Sequence, residues 1–167
     1  MLWPTSPDTE VIDGIEYRNV WRKDDPDVRR DATMLGQRVA PNAVRLEPGF
    51  WSKDLCVVAY EGTELIALAP GEIRFAERVQ QNMAFLRVFV VPEKRERGIV
   101  VPLTLKFHEV MRRYALNHPD QKIGGTMAVV TAKGFVDKPV TKAFMVLAGY
   151  SPRGEPLIVR WFDHFKL

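Results

Sequence analysis

The sequence predicts one domain of mixed α/β class, a mixed sheet with helices on both sides. Apolar runs of strand length alternate with amphipathic runs of helical length, in the order ββα–ββ–βα–βα–ββ. The 167 residues suit a single domain with a sizeable core. Hydrophobic content of 46% and charged content of 27% are those of an ordinary globular protein.

Residues 1–10, rich in proline and polar groups, read as an extended N-terminal arm. An Asp13-Gly14 pair between Ile12 and Ile15 signals a hairpin, with residues 15–21 as the first main strand. Asp24-Asp25-Pro26-Asp27 then starts a helix, with Asp25 at the N-cap and Pro26 at its first position. Val28, Ala32, Leu35 and Val39 recur at helical spacing, and Pro41 ends the run. Residues 42–53 form a loop carrying Pro48-Gly49-Phe50-Trp51. Two readings of the adjacent aromatics stand: they close over a hydrophobic pocket, or they plug the base of the sheet.

Residues 55–60 and 64–69 read as strands around a Glu61-Gly62-Thr63 turn. Pro70-Gly71 interrupts the second, and residues 72–75 resume pairing after a bend; residues 76–82 are a polar loop. Residues 85–91 are nearly all apolar or β-branched, the pattern of a central strand covered on both faces, and Pro92 stops it. A helix follows over about 99–117. Its inner face is Leu103, Phe107, Val110, Met111 and Tyr114, and its outer face is Lys106, Glu109, Arg112 and Arg113. His108 falls near the polar face and reads as a surface histidine. His118-Pro119-Asp120 ends the helix, residues 127–131 form a buried strand, and residues 133–138 form a loop. Residues 140–148 read as a short helix with Val140, Phe144 and Leu147 inward and Gly149 as its cap. Tyr150, read as core, opens a strand, and a Pro-Arg-Gly-Glu-Pro turn leads to the last strand over 157–162.

No apolar run approaches the length of a membrane span, and the first residues lack the regions of a signal peptide, so the expected location is cytoplasmic. Net charge is +3, from 24 Lys and Arg against 21 Asp and Glu of interspersed sign. That balance admits an anionic cofactor and does not by itself indicate nucleic-acid binding. Cys56, the only cysteine, allows no intrachain disulfide and reads as a small core residue. The three histidines show no metal-ligand spacing, and no metal is expected.

The chemistry concentrates between the central strand and the helix after it. A helix N-terminus exposes unpaired backbone N–H groups and partial positive charge. Arg95 and Arg97 add full charges beside it, and Gly98 lets a ligand approach the backbone. Together they suit a phosphate or pyrophosphate. The plainer reading is a connection whose arginines are merely solvated.

Arg95-Glu96-Arg97-Gly98-Ile99-Val100, after a hydrophobic strand ending in Val-Pro, resembles the acyl-CoA signature Gln/Arg-x-x-Gly-x-Gly/Ala of the GNAT (Gcn5-related) N-acyltransferases. Arg95 and Gly98 match its first and fourth positions; Val100 departs from the sixth. The element order also resembles that family, as does Ala-Phe-Met-Val-Leu-Ala-Gly-Tyr with its last helix. The resemblance implies one GNAT-like domain over 1–167, with a mixed, mostly antiparallel central sheet. It implies acyl transfer from acetyl-CoA or another acyl-CoA to a small-molecule or protein amine. Phe89, Val90 and Val91 would pair with the pantetheine arm through their backbone. The N–H groups of residues 95–100, including Arg97, Gly98, Ile99 and Val100, would hold the pyrophosphate with the Arg95 and Arg97 side chains. Phe50 and Trp51 would border the acceptor.

The resemblance supplies no proton-transfer groups. The family's central-strand Glu corresponds to Leu86, and its last-helix Tyr to Met145, neither of which moves a proton. Glu72 and Glu93 are the substitute bases, and Arg87 the substitute group for an acceptor carboxylate. Each also reads as an ordinary surface residue or ion-pair partner. Two other functions remain open: a GNAT-fold binding or assembly component with diverged catalysis, and a nucleic-acid-directed member using residues 94–97 with Arg112 and Arg113. The C-terminal strand admits a homodimer.

Overall fold

The computed structural model describes residues 7–41, 49–131 and 141–165. In chain order the strands are β1 Thr9–Ile12, β2 Ile15–Asn19, β3 Leu55–Glu61, β4 Glu64–Ala76, β5 Gln81–Leu86, β6 Phe89–Val90, β7 Ile123–Val129, β8 Val146–Tyr150 and β9 Pro156–Trp161. The helices are α1 Pro26–Val39 and α2 Val100–Asn117. The strands run β1-β2-β3-β4-β5-β7-β9-β8, with β6 also on β4. Among the described residues every pairing is antiparallel except β5 with β7. This is the expected mixed, mostly antiparallel sheet.

By its contacts the chain forms two compact units, Met1–Pro70 with Val88–Phe107, and Gly71–Arg87 with His108–Leu167. In the first, Asp13 and Gly14 at φ +50° and +77° turn β1 into β2, the left-handed pair that an Asp-Gly hairpin requires. The Asp25 side chain accepts from the N–H groups of Asp27 and Val28, capping α1 as its sequence predicts. Val28, Ala32 and Leu35 are buried along that helix. Strand β3 is buried from Leu55 to Tyr60 between β2 and β4, which explains its unbroken apolar run.

The N-terminal arm is shorter than expected, because Thr9 and Glu10 already pair with Arg18 and Tyr17. Lys106, expected outward, is buried. Its Nζ donates to the Pro7 carbonyl and lies 3.9 Å from the Glu10 carboxylate. Apolar periodicity misplaces this lysine because its partners come from a segment 99 residues away.

Strand β4 runs unbroken through Pro70-Gly71, where the sequence suggests an interruption. The proline instead marks a change of partner. Ala67 and Leu68 pair with β6, whereas Gly71 to Ala76 pair with β5. The expected central strand over 85–91 is accordingly two strands, with Arg87 and Val88 outside both. Pro70 still pairs with Leu55 of β3, but on the other side it has no N–H to donate and the ladder is interrupted between Leu68 and Gly71.

In the second unit, Met83, Met127, Val159 and Ala76 form a buried cluster, with Phe85 and Ala148 packed against it. Strand β7 begins at Ile123, four residues before the sequence suggests. Gly124 and Gly125 hide its start by contributing no side-chain pattern. A Cβ on Gly125 would lie 2.4 Å from the Arg160 carbonyl oxygen, so β9 approaches too closely for anything larger.

The expected third helix is not formed over the described part of its range. Phe144 has φ +60°, and Val146, Leu147, Gly149 and Tyr150 pair with β9 across a register shift. The Thr141 hydroxyl accepts from the N–H groups of Ala143 and Met145, closing a turn that leads into β8. Phe144, expected inward, is exposed, as is Tyr150, expected in the core. Val140 and the loop over 133–138 lie outside the described residues.

His108 is the sharpest correction, being 6% exposed rather than on the surface. Its Nδ1 lies 3.0 Å from Thr126 Oγ1, and its ring packs against Phe162. Burial pushes the imidazole down to about 3; the Arg160 and Arg112 cations add to this and Asp163 opposes it. Between pH 6.5 and 3 the unfolded chain therefore binds a proton that the folded chain refuses. Stability should fall as pH is lowered through that window. Urea midpoints of His108→Gln should change less between pH 6.5 and 4 than those of the wild type; parallel curves would refute this.

Candidate functional site

The strand-loop-helix connection takes shape from Val90 onward. Val91 N–H donates to the Ile66 carbonyl at 3.0 Å, continuing the pairing of β6 with β4. Alternation along an antiparallel strand therefore turns the polar groups of Val90 away from β4. Among the described residues β6 has no second strand partner. The Val90 carbonyl accepts from Arg95 Nε at 3.3 Å, which folds that arginine back onto the strand.

Pro92–Lys94 form one 3₁₀ turn, and Arg97 N–H closes a further turn onto the Lys94 carbonyl at 3.1 Å. Gly98 sits at φ +71°, a conformation that L side chains rarely adopt, and a Cβ there would meet nothing within 4 Å. Ile99 is buried and anchors the loop, and its carbonyl accepts the first α2 bond, from Leu103 N–H at 3.1 Å. No acceptor among the described residues takes the N–H groups of Gly98, Ile99 or Val100. Val100, the departure from the signature, is 44% exposed and does not fill the loop. The arrangement is an open helix N-terminus with a glycine at its mouth.

The charges around it are paired. Glu61, at the end of β3, accepts from Lys94 Nζ and from Arg97 Nη1, both at 2.5 Å. Those two hydrogen bonds, Lys94 first, hold its carboxyl below the usual glutamate range. Sequence reading placed Glu61 only in a turn. Its role arises from a pairing 36 residues distant, which leaves no local signal. Arg97 is therefore neither simply solvated nor free.

The substitute bases divide. Glu93 receives an ion pair from Arg38, whose other nitrogen reaches Glu64 at 2.6 Å. Glu72 lies 4.0 Å from Arg87, with both side chains about half exposed. Arg87 thus meets an exposed acid, not a buried one. Leu86 and Met145 are buried. Burial also raises the thiol pKa of Cys56, which is wholly inaccessible.

Phe50 and Trp51 lie in a 3₁₀ turn and are both half-buried. Trp51 meets Phe50 and Phe89 edge-on, with ring centroids 5.3 and 4.9 Å apart. It also fills the space beside Gly36 on α1. Trp51 therefore touches β6 through Phe89, and Phe50 packs on Trp51. A cleft of about 150 Å³ elsewhere in this unit, lined by Trp21, Arg22, Asp25, Arg29 and Asp54 among others, includes Ser52 but neither aromatic. Among the described residues no three His, Cys, Asp or Glu side chains gather as a metal site, and no helix is long and apolar enough to cross a membrane.

A Cβ on Gly36 would fall 2.2 Å from the Trp51 ring. Gly36→Ala should therefore destabilise the protein by about 1–3 kcal/mol. In a Trp51→Ala background the same change should stabilise by up to about 1 kcal/mol, through helix propensity alone. Urea denaturation of the double-mutant cycle checks this inversion of sign.

No protein-family profile matches the chain, and no curated protein sequence matches it. Solved structures do. The ribosomal-protein-S5-alanine acetyltransferase from Vibrio fischeri superposes with a TM-score of 0.58 at 12% identity, covering 95% of this chain and 99% of its own. An acetyltransferase of the GNAT family from Streptococcus pneumoniae gives 0.57 at 12% identity, over 89% and 99%. Arabidopsis thaliana NAA60, solved in complex with acetyl-CoA, gives 0.52 at 16% identity, over 88% and 99%. At such identities the likeness is one of architecture: the chain has the fold of the GNAT acetyltransferases.

Proposed function

We propose that the chain acts as one domain that transfers an acetyl or related acyl group from acyl-CoA to an amine. The observation that carries this is the open α2 N-terminus, where among the described residues the N–H groups of Gly98, Ile99 and Val100 lack acceptors behind a glycine at φ +71°. Such a terminus suits a pyrophosphate by hydrogen bonding and by the helix dipole. The unpartnered side of β6 suits an extended amide-bearing chain, which the backbone of Phe89, Val90 and Val91 would bind as a short added strand. The Val90 carbonyl has a second lone pair for such a donor while Arg95 holds the first.

In the reaction the amine nitrogen attacks the thioester carbonyl carbon, the C–S bond breaks, and the amine's proton passes to the departing thiolate. The protein's contribution is to hold both reactants in line. Of the substitute groups, Glu72 is the candidate for the amine's proton and Arg87 the candidate for an acceptor carboxylate. Glu93 is engaged by Arg38 and is the weaker base. Phe50 and Trp51 shape the approach from the Phe89 side.

A second reading is that the chain binds acyl-CoA without turning it over, and the buried Leu86 and Met145 favour it. Both readings require the cofactor. Acetyl-CoA at about a hundredfold over Kd should stabilise the fold by about 2.7 kcal/mol. That corresponds to a rise in melting temperature of roughly 5–10 °C at this size. Gly98→Val should abolish most of the rise, because a β-branched residue is strained at that φ. Unchanged melting of the wild type in millimolar acetyl-CoA would sink both readings; thioester turnover against an amine panel separates them.

A further inference from the structure

Lys94 and Arg97 flank Arg95 in the loop before Gly98, and both direct their charge to Glu61. Lys94 Nζ meets Glu61 Oε2 and Arg97 Nη1 meets Glu61 Oε1, both at 2.5 Å, so one carboxylate bridges the two with both its oxygens. The same two-cation, two-oxygen geometry is what a phosphate group requires. The geometry points to Glu61 as an internal stand-in for a phosphate of the cosubstrate, which the ligand must displace to reach Lys94 and Arg97. This rests on the acyl-CoA reading and adds to it a residue that sets cosubstrate affinity from outside the signature.

Three features make the exchange feasible. Lys94, Arg97 and Glu61 are all partly exposed, so water can take over the released carboxylate. Exposed ion pairs contribute little, which keeps displacement inexpensive. Glu61 ends β3 and its own backbone stays paired to Ile15 and Glu64, so the carboxylate can swing away without disturbing the sheet. The arrangement also discriminates by charge. The CoA pyrophosphate as a whole and the 3′-phosphate monoester each carry about two negative charges against the carboxylate's one, so either outcompetes Glu61 for the two cations and a neutral or singly charged mimic does not.

The test is the affinity of the full-length chain for CoA and for dephospho-CoA, which lacks the 3′-phosphate, measured by titration calorimetry. Glu61→Gln should tighten CoA binding by about three- to tenfold, the worth of one or two exposed ion pairs. Lys94→Ala with Arg97→Ala should weaken it, and in that background Glu61→Gln should have no further effect. If the gain persists with dephospho-CoA, the displacing group is the pyrophosphate; if it disappears, the group is the 3′-phosphate. Equal or weaker CoA binding by Glu61→Gln, with an unchanged melting temperature for the free protein, overturns the inference and leaves the cofactor reading intact. Absence of CoA binding by both wild type and variant overturns both.

Discussion

The architecture depends on a strand that changes partners where it has no amide hydrogen to give. Strand β4 spans 13 residues and belongs to both compact units, its first half paired with β3 and β6 and its second half with β5. Pro70 stands at the change. Because the ladder is interrupted there, the apolar run that follows β4 divides into β5 and β6, and only β5 goes on to pair with β7. Among the described residues, strand β6 keeps one side without a strand partner, beside the loop that leads into α2. An open strand edge thus follows from one missing N–H group.

Most cations around that loop are held by neighbouring groups. Lys94 and Arg97 converge on Glu61, Arg38 bridges Glu64 and Glu93, and Arg95 returns to its own strand. The backbone amides of residues 98–100 have no acceptor among the described residues.

Much of this was legible from local pattern. The Asp-Gly hairpin, the Asp25-Pro26 helix start, the apolar run of β3 and the strand-loop-helix around Gly98 each announce themselves within a few residues, because turn, cap and period are local physics. What escaped is what distant segments decide. Lys106 and His108 lie where helical periodicity turns polar groups outward, yet the Pro7 carbonyl and Thr126 receive them inside. Val140, Phe144 and Leu147 recur at helical spacing, yet residues 146–150 pair with β9 as a strand. Glycines 124 and 125 erased the start of β7 from the pattern because their purpose is the absence of a side chain. Within the site, the backbone elements could be read, whereas the Glu61 bridge could not, since nothing near Glu61 in sequence names its partners.

Cys56 carries a consequence for measurement. It is the chain's only thiol, lies near the start of β3 with no accessible surface, and is held protonated by its apolar surroundings. Thiolates, not thiols, react with disulfide reagents and alkylating dyes. The folded protein should therefore be silent towards them, and any sulfhydryl released in solution would be read against a blank background. Reactivity of the protein itself towards such a dye would then report opening of β3.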